Sequence, residues 1–287
     1  MPKPVHPVLH ALRVHPVKSM AGCTPDSAVV EPWGLAGDRR WTLIDTTGKA
    51  VTQRQQPRLA LARAEPLPDG GIRLSAPGID PLVIGVPRTD DTVVADIFGT
   101  KVESVLAGPD AHDADGTRYD AHRTLSRYLG VEVRLVHLDD PAVRRPVDPA
   151  YARPGETVSF ADGFPLLVTT TASLDALNSL IAQGDHPDEG PLPMERFRPN
   201  LVVAGASPWE EDDWQRIAVG EVTFRVAKPC GRCVITTTDQ RTGERGKEPL
   251  RTLGHYRRFG SQLIFGQNLV PESTGTLRVG DPVTVLE

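Results

Sequence analysis

The chain has 287 residues, 39% of them hydrophobic and 24% charged, with a net charge of −5 at neutral pH. That length supports one large domain or two medium ones, each with a real core, and the composition excludes disordered and fibrous classes. The 32 basic and 37 acidic residues are mixed along the chain, so there is no electrostatic footprint for nucleic acid, although a local anion pocket stays open.

The chain opens Met1-Pro2-Lys3-Pro4-Val5-His6-Pro7, which lacks the apolar core of a signal peptide. No run of about 18 apolar residues follows anywhere, so no membrane helix is expected. Val8–Val17, Ala28–Pro32 and Arg40–Asp45 read as strands. Thr47-Gly48 and Asp69-Gly70-Gly71 are placed as hairpin turns, and Phe98-Gly99-Thr100 as a turn inside Thr92–Leu106. Asp113-Ala114-Asp115-Gly116 has the look of a calcium loop, but Ala111 and His122 occupy the first and last ligand positions, so the pattern fails. A helix is expected over Thr117–Leu129, stopped by Gly130.

The polar, Pro- and Gly-rich stretches on either side of that helix place a junction there. Beyond it, Pro165–Thr170 reads as a buried strand and Ala172–Ile181 as a helix, with Leu174, Leu177, Leu180 and Ile181 at helical spacing. Glu248–Phe259 reads as a second helix. Leu201–Ala204, Ile217–Ala227, Val234–Thr238, Gln262–Leu269 and Thr276–Leu286 read as strands of a barrel or strongly curved sheet. The fold class expected is mainly β with a few helices (α+β), with domains over 5–125 and 135–287.

Only three cysteines occur, Cys23, Cys230 and Cys233, too few for a disulfide framework; a reducing, cytoplasmic setting fits. The phosphate loop, the G-x-G-x-x-G fingerprint, the H-E-x-x-H motif and the nucleophile elbow are all missing. What remains is Lys228-Pro229-Cys230-Gly231-Arg232-Cys233. A zinc staple would need two further ligands, for which Cys23 and a distant histidine are the candidates. A dithiol redox pair normally opens a helix, whereas Val234-Ile235-Thr236-Thr237-Thr238 prefers strand. A single thiolate on a soft metal is the third reading, with Lys228 and Arg232 supplying positive charge.

Two other segments carry cations at strand ends: Pro16-Val17-Lys18-Ser19 and Gly37-Asp38-Arg39-Arg40-Trp41. Lysine as a point charge and arginine as a planar fork are the usual grips on phosphate. In Arg196-Phe197-Arg198-Pro199-Asn200, proline is expected to hold Arg198 and Asn200 on extended backbone before the strand Leu201–Ala204.

Together, P-V-K-S, G-D-R-R-W, F-A-D-G-F-P, R-F-R-P-N and K-P-C-G-R-C, in this order and with F-G-Q-N and V-G-D-P-V near the end, resemble the MOSC superfamily. MOSC is named for the C-terminal domain of molybdenum-cofactor sulfurase. The likeness is to bacterial relatives of the amidoxime-reducing component and runs from about Val8 to Leu286. It implies an N-terminal MOSC-type β-rich domain and a C-terminal MOSC β-barrel, with a molybdenum cofactor (Mo-molybdopterin) between them. It implies Cys233 as metal ligand and catalytic centre. Lys18, Ser19, Arg39, Arg198, Asn200, Gly231 and Arg232 match cofactor-holding positions, and Asp162 and Thr170 fall in other pocket-lining segments.

The implied activity is reduction of N-hydroxylated small molecules (hydroxylamines, amidoximes, N-oxides), the metal alternating between Mo(IV) and Mo(VI). With no cysteine beyond Cys233, the fused ferredoxin domain of some relatives is not matched, so a separate ferredoxin- or flavin-linked donor is expected. The membrane anchor of mitochondrial members is not matched either. A carrier of cofactor or sulfur is the competing role.

Overall fold

Apolar residues near the start of the chain find their partners near its end. Leu9, Leu12 and Val14 are buried in one core with Leu166, Val168, Leu201, Val203, Phe224 and Leu269. The computed structural model describes residues 6–88, 91–108, 110–113 and 115–287. The expected domain start at residue 5, residues 1–5 of the amino-terminal segment and Ala114 of the rejected calcium loop lie outside them.

The core is enclosed by one large sheet. Val8–Leu12 pairs antiparallel with Leu201–Ala204, which lies parallel to Leu166–Thr170. Next come Gln262–Pro271, Val222–Gly231, Arg216–Val219 and Val283–Val285, all antiparallel to their neighbours. The sheet then nearly closes on itself. Val8 bridges Pro282, the Val283 amide donates to the Pro7 carbonyl at 2.8 Å, and the Gly280 amide donates to the Leu9 carbonyl at 2.8 Å. A nearly closed barrel hides the edge amides that an open sheet would expose. Ser27–Glu31 also pairs with Gly275–Arg278, tying early chain to late chain a second time.

The rest of the first half forms two five-stranded sheets. One runs Ala50–Val51, Trp41–Ile44, Arg134–His137, Thr100–Leu106, Thr92–Ile97, and the other Arg118–Asp120, Asp110–His112, Ile79–Ile84, Ile72–Ala76, Arg63–Pro66. A helix, Ala121–Leu129, seals one core with Leu125, Tyr128 and Leu129. Asp120 caps its N-terminus by accepting from the Arg123 amide at 3.0 Å, and Gly130 ends it in the left-handed conformation.

The fold class is mainly β with a few helices, as the sequence indicates. Several boundaries differ. Ile217–Ala227 is two strands, Arg216–Val219 and Val222–Gly231, folded back at Gly220. Thr276–Leu286 is likewise split into Gly275–Arg278 and Val283–Val285 around Gly280 and Pro282. The helix expected from Thr117 starts at Ala121 because Asp120 caps it there. The helix expected over Glu248–Phe259 is Leu250–Tyr256, and Arg258–Phe259 turns into a short strand against Gln262 and Leu263.

Val234–Thr238 is not a strand but a 3-10 turn over Val234–Thr237. The hydroxyls of Thr236 and Thr237 each donate, at 2.9 Å, to the carbonyl three residues earlier, which offsets the strand preference of this β-branched run. Among the described residues no helix is long and apolar enough to cross a membrane.

Gly266, within the strand Gln262–Pro271, has φ +78° and a Cβ added there would lie 2.6 Å from the Val168 carbonyl oxygen. Gly266→Ala combines left-handed strain with a backbone clash between central strands. It is expected to lower the free energy of unfolding by about 3 kcal/mol in a urea titration; no change would mean the strand can shift without loss.

Candidate active site

The strand Val222–Gly231 carries Cys233 to the barrel mouth. Its pairing with Gln262–Pro271 slips twice, between Val226 and Lys228 and between Pro229 and Gly231. Pro229 donates no amide bond, so this end of the strand bends out of the sheet. The Arg232 amide still holds on, donating to the Leu263 carbonyl at 2.7 Å, and Cys233 then leads the 3-10 turn with its thiol half-buried in a cleft.

The expected flanking of this thiol by Lys228 and Arg232 needs correction. The Lys228 ammonium sits 4.7 Å from the centre of the Tyr151 ring. Arg232 donates to the other cysteine, Cys230, at 2.9 Å and to the Phe197 carbonyl at 2.6 Å. The cation at Cys233 is Arg54, from the first half of the chain, whose Nη2 lies 3.4 Å from Sγ.

Lys18, Ser19 and Arg39 reach the same cleft from the N-terminal half. Lys18 is buried and its Nζ donates to the Phe160 carbonyl at 2.8 Å and to the Asp162 carboxylate. Ser19 and Arg39 both have positive φ, so each turns its backbone sharply at the cleft wall. The Arg39 guanidinium is fixed by Asp38, by Asn200 Oδ1 at 3.0 Å and by the Arg198 carbonyl at 3.2 Å. Asn200, itself buried, also accepts from the Leu167 amide at 3.2 Å and donates to the Arg13 carbonyl at 3.2 Å.

Arg198 is not on extended backbone as the following proline suggested. It has φ 53° and ends the 3-10 turn Met194–Phe197, which aims its side chain into the cleft. Gly231 lines the cleft beside Gln262, whose side chain a Cβ would approach to 3.1 Å. Thr170 lies apart from the lining: its hydroxyl accepts from the Ser173 amide at 3.1 Å, capping the helix Thr171–Ile181, and sits 3.2 Å from the buried Glu211 carboxylate.

Asp162 belongs to a loop that Arg145 clamps, donating to the carbonyls of Ser159, Ala161 and Asp162. Desolvation would raise the Asp162 carboxyl, but Lys18 and Arg54 outweigh it and hold it well below the usual carboxylate range. Its side chain is still 61% exposed, so this carboxylate is ionised and accessible at once.

The lining holds five cations, Lys18, Arg39, Arg54, Arg198 and Arg232, against one carboxylate, Asp162. Several of their nitrogens are buried without a partner: Arg54 Nη1, Arg198 Nη2 and Arg232 Nε. Burial, then the neighbouring Arg39, depress the Arg198 guanidinium. Like charges converge with donors unspent, which is unfavourable until an anion takes them. The chemistry of this donor set fits an anionic, phosphate-bearing group with a soft metal at the sulfur. Among the described residues no group of three or more His, Cys, Asp or Glu side chains could hold a metal, so a zinc staple finds no ligand set there. Cys23, its suggested third ligand, lines a different cavity with His15 and Arg63.

Burial pushes Lys18 down from its ordinary 10.5 to about 8 against the pull of Asp162. Between these values the unfolded chain binds the proton and the folded chain does not, so the Lys18 penalty on stability is relieved progressively as pH rises from about 8 towards 10.5. An anion in the cleft reverses this by favouring the ammonium. Sulfate, which does not itself titrate in this range, is therefore expected to bind at pH 8.5 with uptake of a fraction of a proton, read by calorimetry in buffers of different ionisation enthalpy. Lys18→Met should remove that uptake.

The deciding observation is the pairing of the half-buried Cys233 thiol with cations drawn from both halves of the chain. The MOSC N-terminal beta barrel domain matches residues 6–132 and the MOSC domain matches residues 155–284. The chain belongs to the MOSC family. It is 33% identical over 294 residues to mitochondrial amidoxime-reducing component 1 of Mus musculus, covering 96% of this chain and 81% of that protein. The Homo sapiens protein of the same name is 33% identical, covering 96% and 82%, and the Danio rerio protein is 34% identical, covering 96% and 84%.

In this MOSC chain both matched segments line the cleft: Lys18, Arg39 and Arg54 from the first, Asp162, Arg198, Asn200 and Cys233 from the second. Sequence reasoning missed Arg54, Arg145, Phe164 and Asn268. Arg54 and Arg145 stand in stretches with no spacing signal, and only the fold carries them to the loop around Asp162.

Proposed function

We propose that this MOSC protein is a reductase of N-hydroxylated compounds that holds a molybdenum–pterin cofactor on Cys233. The reading rests on one observation: a half-buried thiol lines a cleft that also holds five cations. The amidoxime-reducing name of its relatives supplies the substrate class. Cys233 would hold the metal, and Lys18, Ser19, Arg39, Arg198, Asn200, Gly231 and Arg232 would hold the anionic remainder.

The bound cofactor supplies two-electron reduction. The net change for an amidoxime is R–C(NH2)=N–OH + 2e⁻ + 2H⁺ → R–C(NH2)=NH + H2O. The protein's share is orientation and charge. Asp162, held ionised by Lys18 and Arg54, offers its exposed lone pairs to the N–H and O–H donors of the substrate. Phe164 and Leu166 give the cleft an apolar wall that limits water beside the metal site. Electrons come from a separate ferredoxin- or flavin-linked protein in the cytoplasm.

The test is metal and pterin content after expression in a host that makes the cofactor. Near-stoichiometric molybdenum and pterin are expected in the wild type and in Cys230→Ala, with metal lost or weakly held in Cys233→Ala. Zinc without pterin, lost in both variants, would sink the reading. A loaded protein that hands its cofactor to an acceptor but never turns over an N-hydroxylated substrate would make it a carrier.

A further inference from the structure

Arg54 is restrained far more than a surface arginine needs to be. It lies in the turn after Ala50–Val51, which closes on itself through Thr52: the Gln55 and Gln56 amides donate to the Thr52 carbonyl, and the Arg54 amide donates to the Thr52 hydroxyl at 3.2 Å. The second half of the chain then grips this turn from outside. Arg245 donates to the carbonyls of both Gln53 and Arg54, the latter at 2.8 Å. The Gln53 side chain is buried, donating to the Ser19 carbonyl at 2.7 Å and lying 3.3 Å from Gln240.

The side chain is fixed as well. Its guanidinium carbon lies 4.4 Å from the centre of the Phe98 ring. Phe98 is at a hairpin tip with φ 54° and is half exposed, an unusual place for a bulky apolar residue unless its ring is used. The same ring lies 5.0 Å from Lys18 Nζ, so it backs two of the cleft's cations at once. At the far end, one nitrogen, Nη2, lies 3.2 Å from Asp162 Oδ2 and 3.4 Å from Cys233 Sγ.

An ordinary surface ion pair contributes little and leaves its side chains free. Here the backbone, the guanidinium plane and the tip are each held. The tip touches the two groups that the proposed reaction needs in register, the sulfur that holds the metal and the carboxylate that meets the substrate. We propose that Arg54 is a positioning residue, its guanidinium fixing the Cys233 sulfur and the Asp162 carboxylate relative to each other. This rests on the reductase reading above. Arg54 acts through these two groups: its charge draws electron density from the sulfur, and its Nη2, shared between sulfur and carboxylate, sets the direction of the carboxylate.

The experiment compares wild type, Arg54→Met and Arg54→Lys, each purified with cofactor, for molybdenum and pterin content, midpoint potential, the electron paramagnetic resonance spectrum of the Mo(V) state, and kcat and KM on an aryl amidoxime. Arg54→Met is expected to keep its cofactor and to show a more negative potential and an altered spectrum, because the sulfur becomes the stronger donor. Its kcat should fall about 10- to 100-fold, as for other groups that orient a metal ligand. Arg54→Lys, which restores charge without the planar guanidinium held against Phe98, should return the potential towards wild type while kcat stays low.

A fully loaded Arg54→Met protein with wild-type potential and spectrum would overturn the inference. So would loss of the cofactor from both variants, which would make Arg54 an anchor instead. Wild-type protein that binds no molybdenum would overturn the reductase reading and this inference together. Wild-type protein that is loaded but inactive on N-hydroxylated substrates would remove the reading and leave the potential and spectrum to judge Arg54.

Discussion

Cys233→Ser is expected to lower reduction of an aryl amidoxime by more than about 100-fold, with a reduced dye as electron source. A hydroxyl is a hard, weakly acidic ligand where the proposed metal would need a soft thiolate. Cys230, which lines the same cleft, is engaged by Arg232 at 2.9 Å. Because Cys233 is only half-buried and no backbone bond depends on its sulfur, thermal unfolding should move by no more than about 0.5 kcal/mol equivalent. Loss of activity with an unchanged fold identifies a chemical role. Retained activity in Cys233→Ser together with loss in Cys230→Ser would move the ligand to Cys230.

Asp38→Ala is expected to destabilise the fold by about 3–5 kcal/mol, a large share of the total stability of a domain. The Asp38 carboxylate is only 2% exposed; one oxygen accepts from the His15 amide at 2.7 Å and the other pairs with Arg39. Its removal strands the largely buried Arg39 charge beside Arg198 and leaves a buried amide without an acceptor. Arg39 would also lose the pull that directs it towards Asn200, so pyrophosphate binding should weaken in parallel. Denaturant titration gives the first quantity and calorimetry the second. Asp38→Asn, which keeps an acceptor for the His15 amide, should recover part of the stability. Equal stability of Asp38→Ala and wild type would show that water reaches Arg39 and screens it.

The two variants separate what each group does. On the proposed reading Cys233 serves chemistry at little structural gain, whereas Asp38 is buried and serves by fixing Arg39. Arg145 belongs with Asp38: it is buried, spends its donors on the loop carbonyls of Ser159, Ala161 and Asp162, and so sets where Asp162 stands.

Local physical chemistry is what the sequence could convey. Glycine after Leu129 and the turn at Phe98-Gly99 each act over a few residues, and each appears where the residues place it. Short ordered motifs likewise carried Lys18, Arg39, Arg198, Asn200 and Cys233 into one cleft, because each sits at a strand end or turn that the motif itself builds. Where a local preference competed with a hydrogen bond made in the folded chain, the reading failed. The threonines after Cys233 prefer strand, yet their hydroxyls close a turn. Arg198 precedes a proline, yet it turns left-handed to end the segment before it.

Pairings across the length of the chain were decided by tertiary structure alone. No periodicity says that Val8–Leu12 completes a sheet with Leu201–Ala204 and Pro282, because strand pairing depends on which apolar faces share a core, not on distance in sequence. For the same reason Arg54, with no motif around it, could be found only after folding had set it against Cys233 and Asp162.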